Sequence, residues 1–323
     1  MTEKLVSIVI PVLNEAGNLD ALLQRVVTVL SGLRERWEIV FVDDGSTDGT
    51  LEKLREINAR EPRVTAISFS RNFGKEIAIA AGLAYVRGDA AIIIDADLQH
   101  PPEVMAKFVE KWREGFDIVY GDRLDRNTDG PFRRLYARAF YRLFNALSRS
   151  DIPSGAGDFR LLDRRAIDAM NRLKETSRFN KGLYSWIGFK SVGIPYQVAD
   201  RAGGVTKWSP RKLVRFALDG LTSFSTLPLR VWSVLGLVIS LIAIGYASVV
   251  LVRTLVYGAD VPGFPSIIIS VMLLAGVQLI SLGVLGEYLG RVYEEVKARP
   301  LYLVADEVGI SRSASGEAAG KRS

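Results

Sequence analysis

Cysteine is absent from the 323 residues and histidine occurs once, as His100. Disulfides and thiolate metal centres are thereby excluded, as is any site built on several imidazoles. The lack of cysteine fits a reducing compartment. Two phosphate-binding signatures are missing as well. The first strand-to-helix turn reads Pro11-Val12-Leu13-Asn14-Glu15, without the G-x-G-x-x-G that brings a helix N-terminus to a dinucleotide pyrophosphate, and no G-x-x-x-x-G-K-[ST] loop occurs. A dehydrogenase or a P-loop ATPase is therefore not expected. Nor is a signal peptide, because the apolar stretch Val6–Leu13 is short and runs straight into Asn14-Glu15.

Charged residues are missing from two long stretches, Val231–Val252 and Pro265–Gly286. Each is long enough for a helix of roughly 30 Å, the thickness of a bilayer core. A pair of helices buried in a soluble core is the competing reading. Lys207, Arg211, Lys212, Arg215 and Arg230 precede the first stretch and Arg291, Lys297 and Arg299 follow the second, whereas Tyr257–Ser266 between them has no Lys or Arg. The positive-inside rule then puts both large flanks in the cytoplasm. Within Ser209–Leu227, Leu213, Phe216, Ala217, Leu221 and Phe224 recur at helical spacing beside Arg211, Lys212 and Arg215. That is the pattern of an amphipathic helix resting among lipid headgroups, or alternatively packed on the soluble domain.

The expected organisation is a large cytoplasmic domain at 1–208, an amphipathic juxtamembrane helix at 209–230, and transmembrane helices at 231–256 and 267–290. A short extracytoplasmic loop at 257–266 joins the spans, and a cytoplasmic segment at 291–323 ends in a small, polar, disordered tail from Gly309. The location is then the inner (cytoplasmic) membrane, with both termini cytoplasmic. Gly276, Gly283, Gly286 and Gly290 allow close helix packing, which makes a homo-oligomer plausible.

Ahead of the apolar stretches the chain alternates strand and helix. Val6–Val12, Glu38–Val42, Val64–Phe69, Ala90–Ile94 and Asp117–Tyr120 read as strands, with helices at about Asn18–Arg34, Gly49–Arg60, Glu76–Val86 and Pro102–Glu114. Repeated βα units imply an α/β fold, a Rossmann-like and mostly parallel sheet with helices on both faces. From Asp122 to about Asp200 the sequence reads as more irregular, with a basic, aromatic helix at Phe132–Ser148. Its arginines fit anionic lipid or an acceptor phosphate better than nucleic acid beside two spans, although a solvated face explains any single one of them.

The chemistry-bearing residues cluster at strand ends. Asp95-Ala96-Asp97-Leu98-Gln99 follows the run Ala90–Ile94, and in an extended chain Asp95 and Asp97 would share a side. Hard oxygen ligands without thiolate suit Mg²⁺ or Mn²⁺ bridging carboxylates to substrate phosphates, while a solvated strand-end loop is the alternative. Asp43-Asp44-Gly45-Ser46 ends the second strand with groups able to accept from a nucleobase imide or ribose hydroxyls, though such a turn also serves as a helix cap. His100 is either a loop residue before Pro101-Pro102 or a donor contact.

Together, Pro11–Glu15, Asp43–Ser46, Ser70–Lys75 and Asp95–Glu103 resemble the family 2 glycosyltransferases with a GT-A fold. Gly157–Arg164, Arg178-Phe179, Gly204–Trp208 and the two carboxyl-terminal spans resemble the polyprenyl-phosphate glycosyltransferases, among them dolichol-phosphate mannose synthases and bacterial undecaprenyl-phosphate glucosyltransferases. The resemblance covers about residues 5 to 300. It implies that Asp44 reads the nucleobase, with Pro11, Asn14, Glu15, Ser46 and Lys207 near the nucleotide-sugar. It implies that Asp95, Asp97 and Gln99 hold Mg²⁺ or Mn²⁺ against the donor diphosphate. Arg123 and a second arginine, Arg134, would meet phosphates, and Asp158 matches the position assigned as catalytic base. Two departures bear on specificity: Lys181 stands where the family often has arginine, and Gly204-Val205-Thr206-Lys207 replaces a G-E-S-K segment.

The activity so implied is inverting transfer of a sugar from a nucleotide-sugar to a polyprenyl phosphate such as undecaprenyl phosphate. UDP-glucose is the first donor expected, with UDP-GlcNAc, a modified UDP-pentose and GDP-mannose as alternatives. A phosphate monoester has a second pKa near ~6 and needs little deprotonation. Asp158 could therefore orient the acceptor, complete a metal shell or hold an arginine instead of acting as a base. A processive polysaccharide synthase is disfavoured, since Arg36-Trp37 lies far from any span and lacks the glutamine of Q-x-x-R-W. A non-catalytic membrane adaptor is disfavoured by the intact Asp95, Asp97, Gln99 and Asp158.

Overall fold

The computed structural model describes residues 3–123, 156–176, 178–197 and 263–310, with single positions between 236 and 257. The chain divides into an α/β unit, Met1–Ser209 with Pro300–Ser323, and a second unit, Pro210–Arg299.

In the α/β unit, strands β1 (Leu5–Val12), β2 (Arg36–Asp43), β3 (Val64–Phe69) and β4 (Ala90–Ile93) arise from the apolar runs. All of β3 and β4 is buried, as a sheet covered on both faces requires. Helices α1 (Leu19–Ser31), α2 (Thr50–Arg60), α3 (Lys75–Tyr85) and α4 (Val104–Arg113) alternate with these strands within a few residues of the expected bounds. Ile8, Ile10, Ile39, Phe41, Ile92 and Phe108 form the centre of the core.

The order of the sheet is β7-β5-β6-β4-β1-β2-β3-β8, where β5 is Ile118–Arg123, β6 Ala156–Asp163, β7 Ser191–Tyr196 and β8 Val304–Val308. Strands β3-β2-β1-β4 run parallel. The chain leaves β1 through β2 and β3, then returns to the other side of β1 as β4. That reversal opens a crevice at the carboxyl ends of β1 and β4, the place where open α/β sheets take ligands.

Three features depart from the sequence reading. The stretch expected to be irregular contains β6, antiparallel between β4 and β5, as well as α5 (Arg164–Arg172), α6 (Asn180–Trp186) and β7. Pairing of Ile93 with Arg160 continues, by register, to set Asp158 level with Asp95. Asp95 and Asp97 are not two positions of one extended strand. The chain turns at Ala96-Asp97, Leu98 is left-handed at φ 58°, and the Asp97 carboxylate accepts the Gln99 N–H at 3.1 Å. Such an i to i+2 bond from aspartate competes with strand geometry. The third feature is β8, which pairs antiparallel with β3 and extends the sheet with residues that follow the apolar stretches.

In the second unit, α7 runs from Phe264 to Val296 over 33 residues. Within Leu273–Val296 an 18-residue stretch reaches a mean hydropathy of 1.5, and this helix is long and apolar enough to cross a membrane, the only such helix among the described residues. Its last turns extend beyond Gly286 and carry the pairs Arg291–Glu287 and Lys297–Glu294. Described positions between Gly236 and Tyr257 are helical as well. The amphipathic stretch Ser209–Leu227, the basic helix Phe132–Ser148 and the tail beyond Ile310 lie outside the described residues.

Candidate active site

A cavity of about 320 Å³ occupies the switch-point crevice, lined among others by Pro11, Glu15, Asp44, Lys75, Asp95 and Asp97. A larger hollow of about 750 Å³ lies at the amino ends of the strands, where Glu35 and Glu38 are each already paired with an arginine. The converging acceptors belong to the smaller cavity.

The loops after β1 and β2 are laced together. The Asn14 N–H donates to Ser46 Oγ at 2.8 Å, the Thr47 N–H donates to Asn14 Oδ1 at 2.8 Å, and the Glu15 N–H donates to Thr50 Oγ1 at 3.0 Å. Asn14 and Ser46 thus shape the rim through each other. The buried Asp43 accepts the Ser46 N–H at 3.0 Å and the Ser68 hydroxyl at 2.7 Å. Gly45, at φ +75°, brings the loop so close that a Cβ would stand 2.5 Å from the Arg71 backbone.

Asp44 is buried and accepts from the Phe73 N–H at 2.7 Å and, through both oxygens, from the Gly74 N–H at 3.1 and 3.0 Å. Burial pushes its carboxyl above the ordinary value, against the pull of those N–H groups. The Arg71–Lys75 loop is therefore fastened to the strand end that carries Asp44. Gly74, at φ +102°, makes the turn into α3, whose Gly82 packs so tightly on β1 that a Cβ there would lie 2.3 Å from Val9 Cγ1.

Lys75 stands at the first position of α3, with Nζ 2.6 and 2.7 Å from the two Asp95 oxygens and 3.2 Å from Asp158 Oδ2. Burial alone would raise the Asp95 carboxyl; Lys75, and then His100, hold it well below the usual carboxylate range. Burial acts on Asp158 in the same direction and is outweighed by Lys181 and Lys75, so its carboxyl is lowered too. Asp158 Oδ1 is buried and without a hydrogen-bond partner. The neighbouring Glu76 accepts the Asn180 N–H at 3.0 Å, and burial together with Asp158 pushes it up to about 7.

His100 Nε2 lies 3.4 Å from Asp95, Nδ1 lies 2.8 Å from the Tyr196 hydroxyl, and the ring stacks on Phe159 with centroids 5.1 Å apart. It is thus part of the Asp95 environment as well as a loop residue. Tyr196 is buried and its hydroxyl is pushed up to about 12, chiefly by desolvation.

Pro11, Glu15, Asp44, Asp95 and Asp97 share the cavity wall, while Asp158 reaches it through Lys75. Gln99 contributes its backbone N–H to Asp97, and Arg123 is exposed at the end of β5, paired in register with Tyr196. Arg134 and Lys207 lie outside the described residues. Sequence reasoning gave Lys75, Glu76 and Tyr196 no role. Lys75 did carry a signal, because a cation in the first turn of a helix opposes the helix dipole and calls for local compensation.

The donor set fits a hard divalent cation. Asp95 is held ionised and Asp97 sits half-exposed on the cavity wall. Among the described residues no group of three or more acidic or histidine side chains is arranged to hold a metal ion by itself, so such an ion would take further oxygens from a substrate and water.

Residues 7–170 match the model of Glycosyl transferase family 2. The chain belongs to this family. It is similar to an uncharacterized glycosyltransferase of Synechocystis sp., 49% identical over 304 residues that cover 94% of this chain and 96% of the relative. It is similar also to the bactoprenol glucosyl transferase of Shigella phage SfII, 44% identical over 299 residues, 93% and 97% of the two chains. Among solved structures, glucosyl-3-phosphoglycerate synthase of Mycobacterium tuberculosis with Mn²⁺, UDP-glucose and phosphoglyceric acid matches at 20% identity and TM-score 0.45, over 68% of this chain and 78% of that one. As a family 2 glycosyltransferase the protein is a sugar-transferring enzyme, and its α/β unit is the GT-A-like domain expected from the sequence.

Proposed function

We propose that this family 2 glycosyltransferase moves glucose from UDP-glucose to a polyprenyl phosphate such as undecaprenyl phosphate, at the cytoplasmic leaflet and with inversion at the anomeric carbon. The observation that carries this reading is that Asp95, which shares a cavity wall with Asp97 after β4, and Asp158, from β6, are both in contact with one lysine. In this reading the first two carboxylates serve the donor and the third the acceptor. Support for the lipid acceptor comes from the bactoprenol glucosyl transferase matched over nearly its whole length, and from the apolar surface of α7.

In this reading Pro11, Asn14, Glu15, Asp44, Ser46, Asp95 and Lys207 form the nucleotide-sugar site, and Asp95, Asp97 and Gln99 the Mg²⁺ or Mn²⁺ site. Such an ion supplies countercharge to the departing diphosphate. The acceptor phosphate is mostly dianionic at neutral pH, with a second pKa near ~6. One of its oxygens forms the new bond to the anomeric carbon as the bond to UDP breaks, and UDP leaves with the electron pair. Arg123 and Arg134 meet the phosphates. Asp158, already ionised, orients the acceptor rather than removing a proton. Two helices, 231–256 and 267–290, anchor the enzyme in the inner membrane.

Purified full-length protein incubated with Mg²⁺, a short-chain polyprenyl phosphate and a panel of labelled nucleotide-sugars tests the reading. UDP-glucose is expected to give a polyprenyl-phosphate glucose. Preference for UDP-GlcNAc, a UDP-pentose or GDP-mannose would correct the sugar, and no transfer with any donor would overturn the function.

A further inference from the structure

The reading above gives Lys75 no part in the reaction, yet its ammonium bridges Asp95, after β4, and Asp158, of β6. Its ammonium is 2.6 and 2.7 Å from the Asp95 oxygens and 3.2 Å from Asp158. Its position is tightly constrained. Gly74 before it is held by both oxygens of Asp44, and α3 behind it is locked against β1 by the close approach of Gly82 to Val9. A cation at the first position of a helix opposes the helix dipole. Here the two carboxylates compensate for that opposition. In turn, Asp95 and Asp158 are like charges set side by side, and the lysine lets both stay ionised.

We propose that Lys75 is a positioning residue and the resident cation of the site, holding Asp95 and Asp158 in register, so that a divalent ion binds Asp95 only in competition with it. This rests on the reading that Asp95 and Asp97 receive the ion. Two consequences follow from elementary electrostatics. Removing a positive charge that touches Asp95 strengthens attraction for a second cation there. It also frees Asp158 from the donor side, so the bound substrates lose their mutual alignment even when both are saturating.

The test uses full-length protein in detergent, Mn²⁺ titration read by electron paramagnetic resonance without donor, and initial rates with donor and acceptor. Lys75→Met is expected to bind Mn²⁺ about tenfold more tightly than wild type. Its kcat is expected to fall about 100-fold, with a much smaller change in donor KM. Lys75→Arg keeps the charge, so its Mn²⁺ affinity stays near that of wild type and part of kcat returns. Unchanged or weaker Mn²⁺ binding by Lys75→Met, or Lys75→Arg behaving like it, overturns the proposal.

The Mn²⁺ titrations are independent of turnover. A protein that transfers no sugar would defeat the functional proposal while leaving these results to decide the role of Lys75.

Discussion

Tyr302 stacks on Phe69, with ring centroids 5.0 Å apart and planes 22° from parallel. Phe69 in turn meets Phe73 edge-on at 5.6 Å, and the Ser70 N–H donates to the Leu303 carbonyl at 3.0 Å. Residues that follow the apolar helix thereby support the loop whose Phe73 and Gly74 N–H groups bind Asp44. Tyr302→Ala is expected to destabilise the α/β unit by about 1–2 kcal/mol, through loss of stacking and of half-buried area. Hydrogen exchange should localise the effect, with the Phe73 and Gly74 amides exchanging faster while those of β1 stay protected.

Asp44 fastens that loop from the other side. In Asp44→Asn the remaining oxygen can keep the Phe73 and Gly74 N–H bonds only from the Oδ1 position, which sets an NH₂ group against the Gly74 N–H in place of the acceptor now 3.0 Å away, a cost of about 1–3 kcal/mol. The expected result is a lower melting temperature in thermal denaturation and a donor KM raised about tenfold. An unchanged melting temperature would show that the loop does not depend on these bonds.

Glu76 makes stability depend on pH. Its carboxyl is raised from 4.5 to about 7 in the folded protein. The folded state therefore keeps a proton that the unfolded chain has released, and the stability from this group is lost as pH rises through that window. Glu76→Gln cannot titrate. Its melting temperature is expected to vary less than that of wild type between about pH 4.5 and about pH 7, a comparison read from parallel melts; coincident slopes would contradict the assignment.

The parts legible in the sequence were those whose residues follow one local rule. The runs that became β1 to β4 are apolar on both faces, and Asp44, Asp95 and Asp97 follow strand ends, so both the parallel core and its acidic rim were readable. β6 was not, because Gly155-Ala156-Gly157-Asp158 breaks the pattern and Arg160 is buried in the middle of the strand, over the Tyr184 ring. β8 is short and half polar; it becomes a strand only where β3 offers an edge. The turn at Asp97 depends on one side-chain bond to the Gln99 N–H, which periodicity does not register. Lys75 was visible within its motif, but the two carboxylates that explain it are 20 and 83 residues away and meet it only in the fold.

The most direct measurement is glucosyl transfer by the purified full-length protein to a short-chain polyprenyl phosphate, for wild type, Asp95→Asn and Asp158→Asn, with the anomeric configuration of the product read by NMR. Wild type is expected to form a polyprenyl-phosphate glucose of inverted configuration, and each variant to lose roughly 100-fold or more in kcat. Since Asp158 orients rather than deprotonates, its variant should lose activity uniformly with pH. Retained configuration, or full activity in either variant, would contradict a transfer that runs between these two carboxylates.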